Sequence, residues 1–457
     1  MRDKKSIIVS IDEFGAKVGE KELQTASIQA AIDFCFGKGG GEVRIPAGEY
    51  LTGGIRLRSN TTLRLTEGAK LIGSRNPADY FILGKDTIEP VSANILTEET
   101  RVNGRSVDGI HFGRRWFNSL IKIYKAENVS IIGESGSVID GRDCYDECGE
   151  EKFRGPHCIS VSESANITFE GYTVQNSANW GHCIWNSKNI RCEKVTIKGG
   201  HDGFDVFGCE NVIVRDCNIS SGDDCIAGYA NYKVLIKDCK LSSSCSAFRF
   251  GGTKVKITGC RVNGNSEYVH RYTLNEEEKK TGILLSDEEN PNHRYRMKSF
   301  YTYYADNRLE IKRKPSDITI EDCEVINAEK FFHYNFSGSE TWQKNRPLYE
   351  IGFKNVTAKG VSLPSVAYGD EREPLRIKFL NVSVELSDDY RDDCLIRAAN
   401  LKKTVFDGFK VKNFNGDTVI RNYGKIANKA VVKNSVFGSD RIVLTQDSGI
   451  GFAVDSI

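Results

Sequence analysis

A short strand signature recurs through the middle of this 457-residue chain at intervals of about 22 residues, and a repeat of that length leaves few folds open. Asn166-Ile167-Thr168-Phe169, Asn189-Ile190-Arg191-Cys192, Asn211-Val212-Ile213-Val214, Lys233-Val234-Leu235-Ile236 and Lys254-Val255-Lys256-Ile257 begin at steps of 23, 22, 22 and 21. A Cys follows three residues behind Val214, Ile236 and Ile257, at Cys217, Cys239 and Cys260, and Ile320 to Cys323 repeats that spacing after an interruption. The interval is too short for a βαβ unit and too long for a hairpin. It suits one coil of an all-β, right-handed parallel β-helix, in which coils that cannot close a core alone bury Val, Ile, Leu, Cys and Phe by stacking.

Weaker units at Asn60-Thr61-Thr62-Leu63, Asn128-Val129-Ser130-Ile131, Asn355-Val356-Thr357 and Asn381-Val382-Ser383-Val384 extend the repeat, so one solenoid domain is expected over residues 1–457. Its first coil needs a cover for its core and its unpaired edge. A cap is expected at about 6–48, with a helix over 25–36 whose Ile28, Ala31, Ile32 and Cys35 share one face before Gly37 to Gly41. Two polar segments, about 74–120 and 263–315, break the period and are too long for ordinary turns, which makes them candidate cleft walls.

Composition agrees with a turn-rich β protein: 43 Gly stand against 9 Pro and 2 Met. The formal net charge is 63 − 62 = +1, so no global field draws the chain to nucleic acid. No stretch approaches the ~18 apolar residues of a membrane span. The basic start, Met1-Arg2-Asp3-Lys4-Lys5, leads into Ser6-Ile7-Ile8-Val9-Ser10-Ile11, which stops at Asp12 without the cleavage pattern of a signal peptide. The expectation is a cytosolic protein with no membrane partner, or a secreted or periplasmic one if an export signal was removed. Fourteen Cys spread from Cys35 to Cys394 in a chain of this size read as reduced, buried thiols, and Cys144 and Cys148 lack the second pair that zinc spacing needs. Neither a metal nor any other cofactor is expected.

Three aspartates stand out within the regular coils. Asp202 lies in His201-Asp202-Gly203-Phe204-Asp205, and Asp223 and Asp224 lie in Ser221-Gly222-Asp223-Asp224-Cys225. Asp202 and Asp223 are 21 residues apart, one coil, and adjacent coils stack at ~4.8 Å, so the carboxylates are expected to gather on one outer patch. Crowded carboxylates raise at least one pKa. One carboxylic acid beside ionised neighbours is the pair that cleaves a glycosidic bond, protonating the leaving oxygen while activating water. The plainer readings are that Asp and Gly form turns here, or that paired Asp hold calcium.

Further residues carry a resemblance. Phe14-Gly15-Ala16-Lys17, Ile28-Gln29-Ala30-Ala31-Ile32-Asp33, Gly39-Gly40-Gly41, Ile45-Pro46-Ala47-Gly48, Val138-Ile139-Asp140-Gly141, Asn176-Ser177-Ala178-Asn179-Trp180-Gly181-His182, Asp202-Gly203-Phe204-Asp205-Val206 and Gly222-Asp223-Asp224-Cys225 follow in order. In this the chain resembles glycoside hydrolase family 28, the polygalacturonase-like, pectin-degrading β-helices. The resemblance implies inverting hydrolysis of a polysaccharide or oligosaccharide, with Asp223 as general acid and Asp202 and Asp224 orienting and deprotonating water. Gly200 and His201 replace the Asn and Thr of the family's Asn-Thr-Asp, and Ser246 stands where the family carries the His of Gly-His-Gly.

Strand alternation offers a substitute: with Phe248 and Phe250 inward, Arg249 points outward, either to bind substrate or to neutralise Asp224. His201, His182, Asp205, Ser246 and Arg249 are candidate substrate-binding residues, joined by Arg296 and Lys298 as an echo of the family's Arg-x-Lys. Trp116, Trp180, Trp185, Trp342, Tyr301, Tyr303 and Tyr304 are candidates to stack on sugar faces, Trp116 and Trp342 foremost because they lie in irregular segments. An exo-acting enzyme is expected if the two insertions close one end of the cleft. A carbohydrate-binding β-helix without activity and a polysaccharide lyase are the alternatives.

Overall fold

A computed structural model describes residues 7–80, 118–306, 309, 312–335 and 346–438, together with the backbone of the short strand Leu444–Gln446. The coils are those of a right-handed parallel β-helix. By their internal contacts they fall into two compact units, Met1–Ser221 with His270–His293, and Gly222–Val269 with Arg294–Ile457.

In the first unit each coil contributes strands to three parallel stacks. One runs through Ile55–Leu57, Ser119–Tyr124, His157–Ser162, His182–Trp185 and Phe204–Phe207. A second runs through Thr61–Leu65, Glu127–Gly133, Ala165–Glu170, Lys188–Glu193 and Glu210–Arg215. The third links Gly48–Thr52, Ala69–Gly73, Val138–Asp140, Thr173–Gln175, Thr196–Gly199 and Asn218–Ser221. The repeated Asn explains the corner that separates the first two stacks. Asn60, Asn128, Asn166, Asn189 and Asn211 all adopt the left-handed backbone, with φ of 60°, 59°, 57°, 56° and 56°. Among residues with a Cβ, Asn visits that region most readily. Each amide then donates to the one a coil before it, at 2.8, 2.9, 2.8 and 3.0 Å in turn.

The cap helix spans Thr25–Gly37 and buries Ile28, Ala31, Ile32 and Cys35, as its pattern predicts. Gly41, just beyond it, is required by packing, since a Cβ there would sit 2.7 Å from the carbonyl of Ile7. Thirteen of the fourteen thiols are buried and none forms a disulfide. Cys192 and Cys217 approach to 3.8 Å inside this unit.

In the second unit two long strands, Ile226–Lys237 and Ser246–Thr258, run side by side through the corner. Lys233 and Lys254 keep its left-handed φ, 57° and 58°, without the amide ladder. Further coils stack Phe353 on Phe379 and Phe379 on Phe406, with ring centroids 5.5 and 5.3 Å apart. Two expectations need correction. Asn355 and Asn381 belong to a different corner: they follow the strands Glu350–Lys354 and Leu375–Leu380, and donate to Asp322 at 2.8 Å and to Asn355 at 3.0 Å. Their signature is that of a turn Asn, which two corners of one coil both require. The second insertion is also shorter than 263–315, because Met297–Tyr303 is a regular strand paired with Ser246–Thr258 and Ala328–Asn335. The segment before it carries the helix Glu276–Thr281, capped by Asn275, which belongs to the first unit. Most of the first insertion, residues 81–117, lies outside the described residues.

Candidate active site

Asp223 and Asp224 sit in the turn that leads into the strand Ile226–Lys237 of the second unit. They are 4% and 1% exposed, and their carboxylate oxygens lie within 4.8 Å of one another. The turn is pinned to the next coil: the Ser243 hydroxyl donates to the Asp223 carbonyl at 2.6 Å and accepts from the Cys245 amide at 2.8 Å. The Cys225 amide donates to the Ser246 carbonyl at 2.9 Å. Two carboxylates are thus fixed in a nearly dry position by backbone contacts that do not involve their side chains.

Arg249 faces them from that coil. Phe248 and Phe250 on either side are fully buried, so alternation turns Arg249 outward as the sequence predicts. Its Nη1 lies 3.7 Å from Asp224 Oδ2, and its Cζ lies 4.1 Å from the centroid of the Tyr304 ring. Burial holds the Asp224 carboxyl above the ordinary carboxylate range and the Asp223 charge adds to it; Arg249, the Ser246 hydroxyl and the Cys245 thiol pull the other way. Burial, Asp224 and Asp223 also drive the Cys245 thiol far up, against Lys298 and Arg249. Ser246, at the position of the family's His, joins Ser299 and Thr302 in a buried hydroxyl cluster, 3.4 Å from each.

The remaining second-unit candidates divide. Lys298 is half-buried beside Cys245, whose carbonyl accepts from its amide at 2.8 Å. Arg296 points elsewhere: Nη1 lies 3.2 Å from Asp389 and Nη2 donates to the Gly360 carbonyl at 3.1 Å, so the Arg-x-Lys echo does not act as a pair. Tyr301 and Tyr303 are fully buried, while Tyr304 serves as the platform under Arg249. Sequence reasoning missed Ser299, Thr302 and this role of Tyr304, although the alignment of Ser299 and Thr302 with Ser246 and Arg249 carries the signal.

In the first unit, Asp202 and His201 are each 8% exposed, and the His201 ring lies 5.9 Å from that of Phe153. The Asp202 carbonyl accepts from Gly181 at 2.9 Å, and Gly181 has no room for a Cβ, which would sit 2.7 Å from the Gly203 carbonyl. Asp205 is fully buried on the strand Phe204–Phe207, opposite Cys183. His182 corrects the sequence reading. It pairs in register with Phe204 and Ile159, and packs against Phe169 at 5.0 Å and Phe204 at 5.2 Å. Its Nε2 lies 3.0 Å from the Tyr172 hydroxyl, and burial lowers its pKa from 6.5 to about 3. This is a neutral core histidine. Trp180 and Trp185 are buried as well, Trp185 stacked on Phe207 at 4.3 Å; Trp116 and Trp342 lie outside the described residues.

Asp392, Asp393 and Cys394 bring ligand-type atoms within 4.8 Å of one another, but Arg397 and Arg421 pair with the two carboxylates at 2.5 and 2.6 Å. Charge pairing accounts for that cluster.

A sequence profile of glycosyl hydrolases family 28 matches residues 99–247. A probable polygalacturonase of Vitis vinifera is 31% identical over 221 residues, covering 46% of this chain and 41% of its own length. An exo-poly-alpha-D-galacturonosidase of Dickeya chrysanthemi is 26% identical over 241 residues, covering 45% and 39%. The chain therefore spans about two fifths of the length of these curated relatives. The family 28 exopolygalacturonase of Yersinia enterocolitica superposes with a TM-score of 0.64 at 18% identity, over 95% of this chain and 79% of that one, a likeness of fold. The matched residues include Asp202, Asp223 and Asp224, and over them the chain is similar to glycoside hydrolase family 28, with Ser246 where that family's Gly-His-Gly histidine would stand.

Proposed function

We propose that the chain is an inverting glycoside hydrolase acting on a pectin-type uronide or a related polysaccharide or oligosaccharide. One observation carries the reading: Asp223 and Asp224 form a buried carboxyl pair whose burial and mutual charge oppose ionising both at once, so that the pair shares a proton, while Arg249 beside Asp224 favours the charge there and leaves the proton to Asp223. That proton is what a leaving glycosidic oxygen needs. In this reading Asp223 delivers it, while Asp224, beside the Arg249 cation, orients a water and takes its proton. The similarity to polygalacturonases of Vitis vinifera and Dickeya chrysanthemi supports the uronide class. No cofactor enters the scheme.

The test is a reducing-end assay on pectic, rhamnogalacturonan and other oligosaccharides, comparing wild type with Asp223→Asn and following ultraviolet absorbance in parallel. Hydrolysis lowered by orders of magnitude in the variant, with folding unchanged, is the expected result. Wild-type turnover in the variant would remove Asp223 from the acid role. Growth of absorbance would make the enzyme a lyase, and sugar binding with no product would make it a binding protein.

A further inference from the structure

Arg249 has a fixed geometry that separates two roles an arginine beside a carboxylate can play. Its side chain is 27% exposed, and its Cζ sits over Tyr304, 4.1 Å from the ring centroid. That ring is itself enclosed: Tyr304 is 5% exposed, meets Tyr229 edge-on at 5.0 Å, and its hydroxyl lies 3.4 Å from Asp306. Its amide donates to the Phe250 carbonyl at 3.3 Å, tying the platform to the strand that carries Arg249. The guanidinium therefore cannot swing outward to clamp a ligand without leaving its ring. The 3.7 Å to Asp224 is longer than a charge-assisted hydrogen bond, so the cation acts on that carboxylate through space.

Resting on the hydrolase reading above, we propose that Arg249, clamped on Tyr304, is a positioning residue that keeps Asp224 ionised as the water-activating base rather than a contact for the sugar. Within the second unit the other titratable groups around Asp224 are Asp223 in its own turn, Cys245 on the coil of Arg249, and Lys298 beside Cys245. The repeat places Asp202 and His201 one coil earlier in the sequence. Asp223 opposes ionisation, Cys245 is held as a neutral thiol, and Lys298 is a second cation whose contact is with Cys245. Arg249 faces Asp224 directly, at 3.7 Å.

The experiment reads the carboxyl itself, so it decides the question even for a protein that cleaves no sugar in the panel. Carboxyl carbons of ¹³C-labelled aspartate are titrated in wild type, in Asp224→Asn to assign the resonance, and in Arg249→Met and Arg249→Lys. Loss of an opposite charge at this range should raise the Asp224 midpoint by about one to three pH units in Arg249→Met. Arg249→Lys, which keeps the charge without the guanidinium over Tyr304, should fall between. Where a substrate is in hand, the acidic limb of kcat/KM should move with the midpoint. A midpoint in Arg249→Met within about a quarter of a unit of wild type, far below the expected effect of a facing charge, would overturn the proposal. So would a raised KM with the acidic limb unmoved, the mark of a sugar contact. If Arg249→Met fails to fold, Arg249→Gln takes its place with the same criteria.

Discussion

His182, enclosed within its coil, makes the stability of the first unit depend on pH. Burial among Phe169, Tyr172 and Phe204 lowers its pKa from 6.5 to about 3, so the unfolded chain binds a proton the folded one refuses. The stability this histidine allows is therefore complete above pH 6.5 and drains away as pH falls toward 3. At 1.36 kcal/mol per pH unit, the loss between pH 8 and pH 5 is about 2 kcal/mol, and any folded pKa below ~4 gives the same figure. A solenoid of this length need not unfold in one step, so the readout is hydrogen exchange of the strand His182–Trp185 at the two pH values, corrected for intrinsic rates. His182→Gln keeps a hydrogen-bonding partner for Tyr172 and removes the titration. Whatever the substitution costs in packing appears at both pH values and cancels in the difference. The variant should lose about 2 kcal/mol less than wild type between pH 8 and pH 5. Equal losses in the two proteins, to within ~0.5 kcal/mol, would mean that His182 titrates as a solvated group and that its interior placement is wrong.

Other predictions concern the ladders. Asn189→Ala keeps a left-handed residue at φ 56° while removing its bonds to Asn166 and Asn211, and should cost about 1–3 kcal/mol in urea unfolding; Asn189→Gly should cost less. Phe379→Ala, between the stacked Phe353 and Phe406 rings, should cost about 3–5 kcal/mol by the same measurement. Arg154, buried against Glu150 at 3.2 Å, should on substitution to Met cost about 3–5 kcal/mol, and the double variant with Glu150→Leu should recover much of it in thermal melts.

The repeat was legible because its cause is local. The coil's own backbone dictates an Asn at a left-handed corner, and the alternating Ile or Val and the Cys three residues on recur with the coil. The same locality misled the reading at Asn355 and Asn381, since an isolated Asn-Val pair does not say which corner of a coil it turns. Arg296 illustrates a different limit. Its partners, Asp389 and the Gly360 carbonyl, lie 93 and 64 residues further along, and no local pattern announces them.

What decides the role of a side chain in this fold is its row as well as its type. His182 lies in register with Ile159 and Phe204, an inward row, and no histidine chemistry survives there. Phe248 lies in register with Tyr301, and Tyr301 with Phe332, again inward; one residue along, Arg249, Thr302 and His333 share the alternate row. Stacking fixes each row by the parallel register, so a charged or hydroxyl residue can be exchanged on the outer row while the core beneath keeps its packing. That separation explains how a coil can carry Arg249 on the outer row and still hold the Asp223–Asp224 turn through the Ser243 hydroxyl and the Ser246 carbonyl. The turn's position depends on backbone acceptors and one buried hydroxyl, whereas its charge state depends on whichever cation the outer row supplies. Substitutions at Ser243 should therefore disturb where the aspartates sit, and substitutions at Arg249 only how they titrate.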